Sequence, residues 1–297
     1  MTRPRPAAAR EPARRDDGGS VVVRIALGAQ LRRLREAAGL SREQAAYRIR
    51  ASAPKISRME LGRVRFKERD VVDLLALYGV RGEAETAEFI ALVRRANADG
   101  WWQHDRDLFP SWFETYLGME QAATLVRVFE AHFVPVLLQS QEYARAVLRA
   151  GGTGAAEVER RVAHRLQRQQ VLDGPTPPRL WVVLDEAVLH RRVGGAAVMR
   201  HQLDHLLDLA ARPSVTLQVA ALDRPSHHWT GGPFTVLRFG ATDLPDVVYL
   251  EHLNGAVYLD KPADVEDYRD LWNRLCVAVE PPPRSAELIR RIRDALA

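Results

Sequence analysis

Ser41 and Ser52 stand eleven positions apart, and each opens a helix with almost no room to extend. The stretch "LSREQAAYRIRASAPKISRMELGR", residues 40–63, follows Gly39 and carries Gly62 near its end, and glycine is the residue that most readily ends a helix in a left-handed conformation. Ser41 and Gln44, three positions apart, spell a capping box, in which each side chain accepts the other residue's backbone N–H. Ser52 caps a second start, and Pro54 falls in the first helical turn, where a missing N–H costs nothing. These signals predict two short helices joined by a tight turn. Ala45, Ala46 and Ile49 face inward on the first and are mostly small, which lets another helix cross closely. Ile56 and Met59 anchor the second. Leu27, Leu31, Leu34 and Ala38 predict a helix before the pair, ending at Gly39, and "ERDVVDLLALYG" predicts one after it.

The second helix of the pair buries little, so most of it faces water or a partner. The charge around it is uneven. The chain of 297 residues carries a net +5, yet Val21 to Arg69 alone holds 13 Lys and Arg against 4 acids, a net +9. Residues 1–20 add +2, and the remaining 228 residues are therefore mildly acidic at −6. A small basic segment on an acidic body points to a polyanion as its partner.

Position by position, "LSREQAAYRIRASAPKISRMELGR" resembles the helix-turn-helix of Xre and phage-repressor-like regulators. The resemblance rests on a polar N-cap, a small residue in mid-helix, a hydrophobic residue before the turn and then S-x-x-x-I-S-R-x-E-x-G. It spans roughly residues 24–80, with one departure: Arg50 stands at the turn position usually held by glycine, which predicts a turn either strained or differently shaped. The resemblance implies double-stranded operator DNA as ligand, a homodimer on related half-sites, and a third helix entering the major groove by its N-terminal residues. On that placement Arg58 reads a base, its guanidinium donating to guanine O6 and N7. Lys55 reaches a base or a phosphate, while Ala53 and Pro54 offer apolar contact, for instance to a thymine methyl. Ser41, Arg42 and Ser52, at helix N-termini, suit the DNA backbone, as do Ser57, Arg63, Arg65 and Lys67. Glu60 is expected to steady a neighbouring arginine.

The organisation along the chain follows. Residues 1–20, rich in Pro, Ala and Arg, read as a disordered basic tail, and 21–82 as the helix-turn-helix domain. A connecting helix is expected over 83–100 and an α+β domain over 101–297. In that last part "SWFETYLGMEQAATLVRVFEAHFVPVLLQSQEYARAVLRAG" reads as a helical run, and a further helix ends at Gly174. The period then switches to give strand, helix, three strands and a closing helix, with a last amphipathic helix after "EPPPR". The fold class is thus an all-α N-terminal domain plus an α+β C-terminal domain.

"VPVLLQSQEYARAVL", "RRVAHRLQRQQVL", "VVLDEAVLHRRVGG", "MRHQLDHLL", "GGPFTVLRF" and "VVYLEHLNGAVYL" resemble, in order and spacing, the domain following the helix-turn-helix in WhiJ-like and Scr-type antitoxin-like regulators of actinobacteria. Val136 and Ser140 stand where that group commonly has Gly and Thr. The resemblance implies transcription control, often beside genes for a small partner protein, and supplies no ligand.

Catalytic and metal chemistry finds little support. His201 and His205, with Asp204 and Asp208, have metal-compatible spacing on a helix, but no third ligand accompanies them. His227 and His228 are adjacent in a loop and cannot easily share an ion. "GGTG" at 151–154 lacks the Lys-Ser/Thr of a phosphate loop. Asp185 and Glu186 point to opposite faces of a strand, and Cys276, the single cysteine, lies among apolar residues. No enzyme, metal or cofactor is predicted. Trp101, Trp102, Trp112 and Phe113 either pack a core or line an effector pocket, and a strand edge is a candidate seat for a small protein. No apolar run of membrane-spanning length occurs, "MTRPRPAAARE" lacks the apolar stretch of a secretory signal, and a lone thiol suits a reducing compartment, so a cytoplasmic protein is expected.

Overall fold

The computed structural model describes residues 20–223, 232–240 and 244–296, so the basic tail expected over 1–20 lies outside the described residues except for Ser20. The N-terminal part is all helical: α1 (Ser20–Ala37), α2 (Arg42–Arg48), α3 (Ala53–Glu60), α4 (Glu68–Leu77) and α5 (Glu83–Ala96). Most of the local signals act as their chemistry dictates, with one correction: Ser52 stands at the N-cap of α3 but its side chain makes no capping bond. The Ser41 hydroxyl accepts from Gln44 N–H and the Gln44 side chain accepts from Ser41 N–H, closing the capping box. Pro54 lies in the first turn of α3, and Gly39 and Gly62 have φ of +68° and +64°. Arg50 takes the left-handed conformation at φ 52°, which costs a residue bearing Cβ about 1–2 kcal/mol.

Leu27, Leu31, Ala45, Ala46, Ile56, Met59, Val71, Leu74 and Leu75 form the core of this part. The predicted stripe on α1 stops short of Ala38, which lies beyond the helix and is exposed. α1 also begins earlier than the spacing suggested, and its first residues serve a different core. Val21, Val22 and Ile25 pack with Trp102, Tyr116 and Leu117 of the second domain. One helix thus contributes to two cores. Close approach makes this possible: a Cβ on Gly118 would meet Val21 Cγ2 at 2.0 Å, and one on Gly28 would meet the Met59 carbonyl oxygen at 2.5 Å.

The second domain comprises α6 (Ser111–Ala122), β1 (Ala123–Glu130), α7 (Gln141–Ala150), α8 (Ala155–Gln169), β2 (Arg179–Asp185), α9 (Ala187–His190), α10 (Ala196–Ala210), β3 (Val215–Ala220), β4 (Phe234–Phe239), β5 (Val247–His252), β6 (Gly255–Leu259), α11 (Pro262–Ala278) and α12 (Pro282–Asp294). Among the described residues the strands form one mixed sheet in the order β3-β2-β1-β4-β5-β6, with β1–β2 and β2–β3 parallel and the other pairs antiparallel. The α+β expectation holds, with two corrections. Residues 123–130, expected within a helical run, are the strand β1 at the centre of the sheet. Val126 and Val128 join the core on one side and Phe129 joins the core on the other, a strand alternation hidden because α6 runs into β1 with no turn residue between them. β6 was not foreseen; it closes a hairpin with β5 in which His252 pairs with Gly255.

α11 covers one sheet face through Val265, Leu271, Trp272 and Leu275. The other face packs against α10, α12 and the start of α1, and α8 lies over its β1–β5 end across the cavity described below. Ser140 caps α7 by accepting from Tyr143 N–H, a service its hydroxyl shares with the Thr common in the resembling group.

Gly28→Ala forces the α1 and α3 backbones apart, and that overpacking exceeds the roughly 1 kcal/mol that Ala adds in helix propensity. The expected result is a net loss of about 1–3 kcal/mol in urea unfolding, with the second domain's core unfolding at a lower midpoint as well, since α1 is common to both.

Candidate functional site

α3 is held from beneath by Ile56 and Met59, 1% and 2% exposed, and from the side by the crossing of α1 at Gly28. At its C-terminal end Glu60 is buried and accepts from Arg35 and Arg42, at 3.2 Å and 3.0 Å to Oε2. Arg35 also donates to the Leu40 carbonyl at 2.7 Å, so this cluster ties α1, the turn before α2, and α3 together. The expectation that Glu60 steadies an arginine is met twice over, and one of the two arginines is Arg42, expected on the DNA backbone.

Several basic residues predicted to meet DNA are engaged by the protein itself. Lys55 Nζ lies 2.6 Å from Asp70 Oδ2, and both are largely shielded. Arg63 donates to the Tyr258 carbonyl at 2.9 Å, reaching β6 of the second domain. Arg65 pairs with Asp99 at 2.5 Å. The remaining positions are open. Ser52, Pro54, Arg58 and Lys67 are exposed, and Ala53 and Ser57 are half-buried on the same short helix. The Ser52 side chain makes no capping bond, so its hydroxyl remains available, whereas that of Ser41 is used in the capping box. Among the described residues no carboxylate pairs with Arg50, Arg58 or Lys67.

Sequence reasoning passed over Tyr47. It stands at the end of α2 beside the turn into α3 and is 88% exposed, the largest apolar surface the helix pair presents. An aromatic on the polar side of a basic helix was its only signal.

A second feature lies in the C-terminal domain. A cavity of about 690 Å³ opens between α6, α8 and the β1, β4 and β5 strands. Of the four aromatics singled out in the sequence, Trp112 and Phe113 line it; Trp102 is core, and Trp101 packs on the His164 ring at 4.7 Å. The charged residues Glu120, Glu130, Arg165, Arg168 and Glu251 also line it and were not anticipated. Arg168 grips Glu120 with two bonds of 2.6 and 2.7 Å, and the Tyr116 hydroxyl donates to the same carboxylate. Burial pushes the Glu130 carboxyl up to about 7 and, with the nearby Arg168 cation, holds the His164 imidazole down to about 4.

Several of the remaining candidates have structural partners. His201 lies 3.8 Å from Glu142, Asp204 pairs with Arg293, and Asp185 caps the Ala187 N–H. Burial pushes the Cys276 thiol up to about 12. His227 and His228 lie outside the described residues. Among the described residues no group of three or more His, Cys, Asp or Glu is placed to hold a metal ion, and no helix is long and apolar enough to cross a membrane.

Residues 26–89 match a helix-turn-helix domain, which points to a DNA-binding regulator. Residues 113–291 match the domain of unknown function DUF5753, and the chain belongs to that family. Neither description is that of an enzyme. No curated protein and no solved structure matches the chain.

The Glu130 shift gives a pH test. Its folded carboxyl binds a proton more tightly than in the unfolded chain, so its contribution to stability is intact near pH 4 and lost as pH rises from 4.5 through 7. His164 acts oppositely, its contribution being lost as pH falls from 6.5 toward 4. Glu130→Gln should therefore match wild type near pH 4 and exceed it by about 2–3 kcal/mol at pH 8 in urea melts. Equal stabilities at pH 8 would contradict the assignment.

Proposed function

We propose that the protein is a sequence-specific transcriptional regulator of the Xre type, docking α3 in the major groove of operator DNA. The observation that carries this reading is Arg58: exposed, unmatched by any carboxylate among the described residues, and projecting from a helix fixed by Ile56, Met59 and the Glu60 cluster. A guanidinium pre-positioned on a rigid helix is suited to bidentate recognition of guanine. Ala53 and Pro54 supply apolar contact at the helix start, and Ser41, Ser52, Ser57 and Lys67 serve the phosphates with Arg50 and Tyr47 beside them. Lys55 reaches DNA by exchanging Asp70 for a phosphate. Arg42, Arg63 and Arg65 contribute mainly by holding the domain together. Binding as a homodimer on two half-sites follows from the resemblance.

The second domain then acts as the effector module, sensing a ligand or a protein. The bond from Arg63, three residues beyond α3, to β6 supports mechanical coupling between that module and the reading head. The second reading is an antitoxin-like adaptor of the WhiJ or Scr kind, which mainly holds a small partner protein and regulates its own gene. It is favoured by β6, an edge strand of the sheet, with Leu253 and Val257 exposed on its hairpin.

Binding to duplex from upstream of the protein's own gene, against random duplex and across salt concentrations, separates the two. Wild type should prefer the upstream duplex, and Arg58→Ala should lose about 1–3 kcal/mol of that preference. Lys67→Ala should weaken both duplexes alike and lower the salt slope by about 1. If wild type and Arg58→Ala bind alike, weakly and only at low salt, α3 does not read sequence and the adaptor reading takes its place.

A further inference from the structure

The cavity of the second domain holds a charge that its neighbours do not balance. Arg161, which lines it, pairs with Glu157 at 2.7 Å. Arg168 pairs with Glu120, and Asp107 with Arg160 at 2.7 Å. Arg165 differs. Its Nη1 donates to the Gln139 side-chain oxygen at 2.7 Å, and Gln139 is itself fixed by donating to the Val134 carbonyl. Among the described residues no carboxylate lies within ion-pair distance of Arg165, and burial with the neighbouring Arg168 and Arg161 pushes its pKa down to about 10. A partly buried guanidinium without a counter-charge is a ready seat for an anion.

A second observation points the same way. His164, one position before Arg165 on α8, is 6% exposed and lines the same cavity, and its Nε2 is buried without a hydrogen-bond partner. The cavity's acids do not balance Arg165. Glu120 is committed to Arg168 and Tyr116, Glu130 is half-protonated near neutral pH, and Glu251 is exposed and accepts from the Tyr249 hydroxyl. The rest of the lining is largely apolar, with Phe109, Trp112, Phe113 and Phe234 as its aromatic part beside aliphatic residues such as Val128, Leu137 and Leu148. A volume of about 690 Å³ is within the range of small-molecule sites.

From these features the geometry points to a binding site for a small amphipathic anion: an apolar body of one or two rings against the aromatic wall, with its carboxylate paired to Arg165. The planar fork of Arg165 suits a carboxylate in two-point contact. The site also has a route to the reading head. Tyr249 lines it, the Tyr249 and Tyr258 rings are 5.2 Å apart, the Tyr258 hydroxyl donates to the carbonyl of lining residue Trp112, and the Tyr258 carbonyl holds Arg63. This inference rests on reading the second domain as an effector module and names the class of effector.

The test is calorimetric titration of the full chain with 1-naphthylacetate and with 1-naphthylacetamide, near-isosteres that differ in charge. The expected result is an acetate at least tenfold tighter than the amide. Arg165→Gln should bring the acetate down to the amide's affinity while the amide still binds as to wild type, which shows that the cavity has formed. If Arg165→Gln does not melt cooperatively, Arg165→Lys replaces it and must keep the acetate ahead of the amide. Equal affinities in wild type, no binding of either probe, a preference that survives Arg165→Gln, or one lost in a folded Arg165→Lys would each overturn the proposal. The titrations contain no DNA, so their failure leaves the operator reading standing, and a failure of DNA binding does not bear on them.

Discussion

The structure depends on α1 packing into two cores at once. Its first turns, through Val21, Val22 and Ile25, fill the space beside Gly118 and Trp102 of the second domain, and its later turns, through Leu27 and Leu31, complete the helix-turn-helix core. Between these halves Gly28 lets the helix touch the carbonyls at the end of α3, closer than any side chain would allow. Packed interiors shift between discrete arrangements and do not deform smoothly. On the proposed effector reading, a displacement of α6 against Val21 would be carried along α1 to the base of α3. Three polar ties reinforce the same junction: Arg63 to Tyr258, Arg65 to Asp99, and Asn97 to both backbone groups of Phe66.

That constraint determines how the basic segment is used. The net +9 between Val21 and Arg69 is a real field, able to draw a polyanion toward this end of the molecule. Much of it is nonetheless built into the protein. Arg35 and Arg42 neutralise the buried Glu60, Lys55 neutralises Asp70, and Arg65 meets Asp99. The Glu60 and Asp70 pairs are the shielded ones, and the loss of a partner there would leave a shielded charge uncompensated, whereas Arg65 and Asp99 are exposed. On the proposed reading, the open cations Arg50, Arg58 and Lys67 are presented on a frame that these pairs hold in place before DNA arrives. Pre-organisation of this kind favours discrimination between sequences over bulk affinity.

The helix-turn-helix was legible because its signals are local. The capping box at Ser41, the prolyl start after Ser52, the glycines at 39 and 62 and the anchors Ile56 and Met59 each act within a few residues. What escaped was set at long range. Asp70 lies one position beyond the basic window, and nothing in the spacing shows that it folds back onto Lys55, fifteen residues earlier. β1 was hidden because α6 runs straight into it with no turn residue between them, so its short alternation reads as the continuation of a helix. Arg165 and His164 belong to an amphipathic helix whose pattern fixes its buried side and says nothing of a cavity there. The two tryptophans that line no cavity show the converse, since aromatic content alone does not separate wall from core.

The central claim is that α3 meets DNA on a frame shared with the second domain. Hydrogen–deuterium exchange of the full chain, free and saturated with duplex from upstream of its own gene, tests it most directly. The account predicts slowed exchange across residues 53–60 together with a change at 255–259, where Tyr258 holds Arg63. DNA that binds and leaves 53–60 exchanging as in the free protein would show that α3 is not the reading helix, and the account would fail.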